Sequence, residues 1–129
     1  MPIAKYAYTC LDCPEPIILA EFYSKITGWE IQPFDASKPE QVDWLELLVD
    51  GKTKMAFQQI ENYKTPTWPE NETPQQLHMD FHALDLDQTE AKLLEIGARK
   101  ASYQDSPDRF RAYLDPAGHP FCIVKKENA

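Results

Sequence analysis

The sequence predicts an α+β fold made of two copies of one module, each running strand, helix, strand, strand, strand. Three observations carry this. Gln76, Leu77, His78, Met79, Asp80, Phe81 and His82 alternate polar and apolar without a miss, which is the period of a strand. Residues 17–27 place Ile18, Phe22 and Ile26 at helical spacing, with Leu19 and Tyr23 alongside and Gly28 as a closing cap. The same order of elements then recurs after a proline-rich stretch, with Gly97 closing the second helix. Neither half holds enough apolar material for its own core, so the two are expected to pair.

Taken in order, residues 6–12 read as a strand rich in aromatic and β-compatible residues. Asp12-Cys13-Pro14-Glu15-Pro16 is a turn that opens the first helix. Residues 29–34, 44–49 and 54–60 are strands, the last two joined by the hairpin signal Asp50-Gly51. A connection with Pro66, Pro69 and Pro74 fills the span to residue 75 and is longer than an ordinary loop, so it is a linker or a functional lid. Trp68 lies in it, either packed across a join or oligomer interface or covering a ligand. The second module has a strand at 76–83, a helix at 87–96 with Leu93, Leu94 and Ile96 inward, and strands at 99–104, 109–114 and 120–125. Asp115-Pro116-Ala117-Gly118 turns between the last two. The modules span about residues 4–61 and 76–126 of one domain, with the loop at 62–75 between them.

Composition narrows the function classes. With 129 residues, 43% hydrophobic and 26% charged, the chain has the make-up of an ordinary globular domain. Its formal charge of −8 argues against nucleic acid and anionic membranes as partners, because both need a basic patch. No apolar run approaches a membrane span, and residues 1–11 show no charged-then-apolar signal pattern, so a cytoplasmic protein is expected. Three cysteines is an odd count that suits a reducing compartment. Cys10 and Cys13 form a C-x-x-C string at a strand end. Residues three apart on a strand point to opposite faces, and no second pair completes a zinc site, so both are read as small buried side chains.

The two modules, the string Asp12-Cys13-Pro14-Glu15-Pro16 ahead of a helix containing Glu21-Phe22-Tyr23, and the hairpin Asp115-Pro116-Ala117-Gly118-His119-Pro120 resemble the vicinal oxygen chelate superfamily. That group holds glyoxalase I, bleomycin-resistance proteins, extradiol dioxygenases and fosfomycin-resistance enzymes. The resemblance covers about residues 4–126. It implies a curved, incomplete barrel with the helices outside and a cavity between the modules. It also implies four ligand positions in metal-using members, which fall here at Tyr8, Gln58, His78 and Cys122.

Only His78 keeps a familiar ligand, since glutamate is usual where Cys122 stands. Hard cations want carboxylate and imidazole. The Tyr8 phenol ionises only near pH 10 in its free form, and Gln58 offers a weak carbonyl. His78 with Cys122 is a pair that zinc accepts, and Asp80, on the same strand face as His78, adds a third donor. Two ligands rarely hold an ion, so no cofactor and no stoichiometric divalent metal are expected.

The implied cavity remains usable without metal. Tyr8, Gln58, His78, Asp80 and Cys122 are expected to line it, with Trp68 and Arg111 as further ligand contacts, while Leu77, Met79 and Phe81 pack under the helices. The expected role is to bind and sequester a small organic ligand, as bleomycin-resistance proteins do. The alternative is an enzyme of the lyase, isomerase or dioxygenase type that uses a variant metal site or His78 as general base. A homodimer is expected, with Trp29, Trp44 and Trp68 supplying aromatic surface to bury.

Overall fold

The computed structural model describes residues 2–127. The chain divides into two compact units at Tyr63/Lys64. The first contains β1 (Thr9–Cys13), α1 (Pro16–Thr27), β2 (Glu30–Ile31), β3 (Trp44–Val49) and β4 (Lys52–Gln59). The second contains β5 (Met79–Ala83), α2 (Leu86–Glu95), β6 (Arg99–Lys100), β7 (Phe110–Leu114) and β8 (Pro120–Lys125). Each forms a four-stranded sheet that does not close on itself, in the orders β1-β4-β3-β2 and β5-β8-β7-β6. In both, the first strand runs parallel to the last and the other pairs are antiparallel. The fold is therefore α+β with one βαβββ module repeated.

Local chemistry sets the helix ends. Proline in the first turn of α1 loses no hydrogen bond, because that N–H would have no partner inside the helix. Gly28 ends it at φ 76°, and its N–H donates to the Ser24 carbonyl at 2.8 Å. In α2 the Asp85 carboxylate accepts the Gln88 N–H at 3.0 Å as an N-cap. The hairpin between β3 and β4 turns through Asp50 and Gly51, both at positive φ (51° and 74°), as a two-residue turn of matching twist requires.

Each unit has its own core on the helix-covered face of its sheet. In the first, Leu19, Phe22 and Tyr23 of α1 are buried with Leu45, Leu47, Met55 and Phe57 of the sheet. Tyr23 stacks on Phe57 with ring centroids 5.9 Å apart. In the second, Leu86 and Leu93 of α2 are buried with Tyr113, Phe121 and Ile123, and Phe121 meets Phe81 edge-on. The inward stripes differ from the sequence reading by one position each. Ile18 and Leu94 are exposed, whereas Leu19 and Leu93, also expected with the stripes, are buried.

Five strands are shorter than the sequence pattern, and three of them, β2, β5 and β6, by three residues or more. β5 begins at Met79, paired with Phe121, and one step earlier its neighbour would be Pro120, which has no N–H to give. Leu77 therefore lies outside the sheet and is 68% exposed instead of packed under a helix. β2 and β6 each stop after two residues because a glutamine amide takes over. In the first unit Gln32 Oε1 accepts the Glu46 N–H at 3.1 Å. In the second, Gln104 Oε1 accepts the Ala112 N–H at 2.9 Å while its Nε2 donates to the Ala112 carbonyl at 2.8 Å. The connection ahead of β5 is folded on itself. The Thr67 N–H donates to the Thr73 carbonyl at 2.7 Å, and the Thr67 hydroxyl accepts the Thr73 N–H at 3.0 Å. Among the described residues, no helix is long and apolar enough to cross a membrane.

Candidate functional site

The register of β5 against β8 builds the strongest cluster. Asp80 stands directly opposite Cys122, and Ala112 lies on the far side of Cys122. Paired residues share a sheet face, so Asp80 and Cys122 project together from the face away from α2. His78, two residues before Asp80, reaches the same face, and its Nε2 lies 3.4 Å from Asp80 Oδ1. One donor atom from each of His78, Asp80 and Cys122 can be chosen so that all lie within 4.8 Å of one another. His78 and Asp80 are about half exposed, and Cys122 is half-buried. Burial, and then the Asp80 charge, push the Cys122 thiol above its usual range, so it stands protonated at neutral pH. The small Ala112 side chain beside Cys122 leaves the sulfur room. His82 continues the same face and is exposed.

Arg111 is engaged elsewhere. It pairs with Ile123, which puts it on the helix-covered face. Its guanidinium donates to Asp87 Oδ1 and to the Pro107 carbonyl, both at 2.8 Å, and lies 3.5 Å from Glu90 Oε1. Its side chain is only 12% exposed. The structure thus gives Arg111 a bracing role between β7 and α2, on the sheet face opposite His78. A groove of about 450 Å³ opens beside it, lined by Asp85, Asp87, Asp108 and Lys125 among others.

The first unit groups its own predicted residues. Gln58 is paired with Asp12 on one side and Trp44 on the other, on the face away from α1. The Trp44 ring meets Tyr8 edge-on at 6.5 Å, and the Cys10 thiol points to Gln58 Oε1 at 3.9 Å. Glu46 holds the Trp44 indole N–H at 2.8 Å and the Thr53 hydroxyl at 2.6 Å. Tyr8, Cys10, Trp44 and Gln58 thus form one polar and aromatic face. The sequence reading missed Trp44 as a member of it. Counting back from the Asp50-Gly51 turn pairs Trp44 with Phe57, but the register shifts by one residue between Leu47 and Leu48 and brings Gln58 opposite.

The remaining candidates have local partners. Trp68 packs edge-on against Tyr103 at 5.9 Å within the second unit. Cys10 is exposed, which corrects the expectation of a buried thiol, whereas Cys13 is buried and its thiol points to the Gln58 carbonyl at 3.6 Å. Neither is in a disulfide, nor is Cys122. His119 is part of the hairpin. Asp115, fully buried, accepts its ring Nδ1–H at 2.7 Å and the Ala117 and His119 backbone N–H groups at 2.9 and 3.0 Å.

The donor sets do not suit the hard cations used by metal-dependent members of the resembled group. The second unit offers one imidazole, one carboxylate and one thiol, and the first offers a phenol and an amide at its ligand positions.

Comparison with known proteins agrees with this architecture. The sequence model of a family described as Glyoxalase-like domain matches residues 8–124. No curated protein matches the sequence. Among solved structures, a glyoxalase/bleomycin resistance protein/dioxygenase family enzyme from Burkholderia phytofirmans PsJN aligns over 95% of this chain and 98% of its own, with 14% identity and a TM-score of 0.63. A variant of the fosfomycin resistance protein FosX from Listeria monocytogenes, complexed with Mn(II) and 1S,2S-dihydroxypropylphosphonic acid, aligns over 96% and 93%, with 13% identity and a TM-score of 0.64. The oxidase ChaP-H2 aligns over 97% and 95%, with 16% identity and a TM-score of 0.60. At these identities the likeness is one of fold, and that fold hosts different chemistries.

Proposed function

Because the chain belongs to the glyoxalase-like domain family, we propose that it binds a small organic ligand on the face of the second sheet that carries His78, Asp80 and Cys122. The convergence of these three side chains, within 4.8 Å at their donor atoms, is the observation that carries this reading. An imidazole, a carboxylate and a protonated thiol give donors and acceptors for a carbonyl or hydroxyl group, while the opposite face is filled by the core. The Tyr8, Trp44 and Gln58 face of the first unit is of similar character and is assigned the same kind of role. The ligand is held by hydrogen bonds and stacking, not by a chelated hard cation. The reading includes a homodimer in the cytoplasm, where cysteines outside disulfides stay reduced.

A second reading is favoured by one distance. Asp80 Oδ1 lies 3.4 Å from His78 Nε2, so the carboxylate can orient the imidazole as a general base toward an activated carbonyl compound. One experiment separates the two. The imidazole signals of His78, His82 and His119 are followed by NMR while small carbonyl and planar aromatic compounds are added. Movement of His78 alone, with the compound recovered unchanged, supports a binder. Conversion of the compound, abolished in His78→Ala, supports the enzyme. Binding that is the same in wild type, His78→Ala and Asp80→Ala rejects the site.

A further inference from the structure

Trp68 lies in the connection that leads into β5, and His78 stands at the end of that connection. We propose that Trp68 is a positioning residue for His78: seated on Tyr103, it holds residues 64–75 down as a strap, and the strap fixes the backbone from which the His78 ring reaches Asp80. What this means for function rests on the ligand-binding reading of the His78 face. The positioning itself is a property of the second unit, which holds all of these residues.

The seat is built into the sheet edge. Trp68 meets the Tyr103 ring edge-on at 5.9 Å. The Tyr103 hydroxyl donates to Asp105 Oδ1 at 3.2 Å, and the adjacent Gln104 amide donates to the Ala101 and Ala112 carbonyls, which ties this loop to β7. A second attachment lies at Gly118, where a side chain would run into the Thr65 Cγ2 methyl. Beyond Trp68 the strap is closed on itself. The Thr67 N–H donates to the Thr73 carbonyl at 2.7 Å, and the Thr67 hydroxyl accepts the Thr73 N–H at 3.0 Å and donates to the Glu70 carbonyl at 3.1 Å. Thr67 also bridges to Pro74, whose ring fixes φ. The place of Trp68 is thereby passed to residue 74 without a free hinge.

From there the chain has little else to guide it. Residues 76–78 precede β5 and take no part in its pairing with β8, and the Leu77 side chain is exposed. Their path is set at its two ends, by Pro74 and by Met79. The 3.4 Å between His78 Nε2 and Asp80 Oδ1, two half-exposed side chains, therefore depends on where the strap puts residue 74. The seated state also carries a cost. Gln75 Oε1 is buried and accepts no hydrogen bond among the described residues. A buried acceptor without a donor favours any state in which water reaches it. Residues 69–72 are exposed as well, so the strap lifts locally before the unit unfolds. A compound that engages His78 in its seated place holds the strap closed, and by reciprocity the closed strap tightens binding of that compound.

The test uses the full chain and needs no ligand. Amide hydrogen exchange of residues 64–78 reads how often the strap lifts. The NMR signals of the imidazoles read where His78 sits, with His82, within β5 on the same face, as the reference. Tyr103→Ala removes an aromatic pair, and exchange of the strap should rise about two- to tenfold. The His78 signal should move in Tyr103→Ala and Trp68→Ala and stay in Trp68→Phe, which keeps a ring on the seat. Thr67→Val deletes the hydroxyl with little change of shape and should move His78 while the Trp68 indole signal stays. Exchange in β7 and β8 should be the same in all four. A rise in strap exchange with His78 unmoved, strap exchange unaffected by Tyr103→Ala, or movement of His82 as large as that of His78 would overturn the proposal. Thr67→Val keeps it open to refutation if an aromatic variant misfolds. Failure of every added compound to shift His78 in wild type rejects the ligand-binding reading and leaves these outcomes as they are.

Discussion

Glu90 sits where α2 meets β6 and β7, and it gathers Lys100 at 3.1 Å, the Tyr113 hydroxyl at 3.0 Å and the Arg111 guanidinium at 3.5 Å. Burial alone would raise its pKa. The hydrogen bonds from Lys100 and Tyr113, with the charges of Lys100 and Arg111, outweigh burial and leave the carboxyl below the usual range. A carboxyl depressed in the folded state adds stability above its unfolded pKa, about 4.3, and that stability is lost as pH falls through the folded value. Glu90→Gln should therefore lose less stability than wild type between about pH 5 and pH 3, measured as urea midpoints across that range. Tyr113 is fully buried, and burial together with Glu90 pushes its phenol far up, so it remains a neutral donor. Tyr113→Phe should cost about 1 kcal/mol in urea unfolding. This network was not legible in the sequence. Arg111 read as a candidate ligand contact because strand parity gives two faces but does not say which one the helix covers. His78 and Asp80 were legible as one face from the alternation, whereas Cys122 joined them only through the family resemblance.

At the scale of elements, long patterns were read well and short edges poorly. β3 and β8 match the sequence expectation at both ends, and each helix lies within a residue of it at either end. The bulge at Lys54 of β4 carries no composition signal, yet it brings Gln58 instead of Phe57 opposite Trp44. The alternation at 76–82 overran its strand, since a polar and apolar pattern does not need a partner strand to persist. Half-buried Phe81, edge-on to Phe121, should cost about 2–3 kcal/mol when cut to alanine, below the 3–5 kcal/mol of a fully buried phenylalanine. Leu77→Ala should change stability by less than about 0.5 kcal/mol because the side chain is exposed. Thermal or urea unfolding of the two variants side by side checks the strand start. The turn before β8 gives a further test. Gly118 has φ 89°, and a Cβ there would lie 2.2 Å from Thr65 Cγ2. Gly118→Ala should cost about 1–3 kcal/mol. Adding Thr65→Ala should recover the clash but not the backbone cost, which a double-mutant cycle resolves.

At the scale of the whole chain, the repeat of one module was the most legible property, because it rests on the order of elements and not on any single residue. The expected assembly is a homodimer. The exposed Tyr6, Trp44 and Tyr103 supply aromatic surface for an interface. Light scattering should give twice the chain mass at every concentration tested above the dissociation constant, and a concentration-independent monomer mass would refute it. The two glutamines that end β2 and β6 have a consequence for this association. A short outer strand leaves its inner neighbour with unpaired N–H and C=O groups, which are a template for another chain to add a strand. Gln32 and Gln104 cover the Glu46 and Ala112 N–H groups with side-chain amides that cannot propagate a ladder, while the two carbonyls accept the backbone N–H groups of Gln32 and Ala101. They act as stoppers against runaway stacking. Gln104→Ala should leave the Ala112 N–H bare, while its carbonyl still accepts the Ala101 N–H at 3.1 Å, and aggregation on mild heating should rise beyond what the loss of folding stability accounts for.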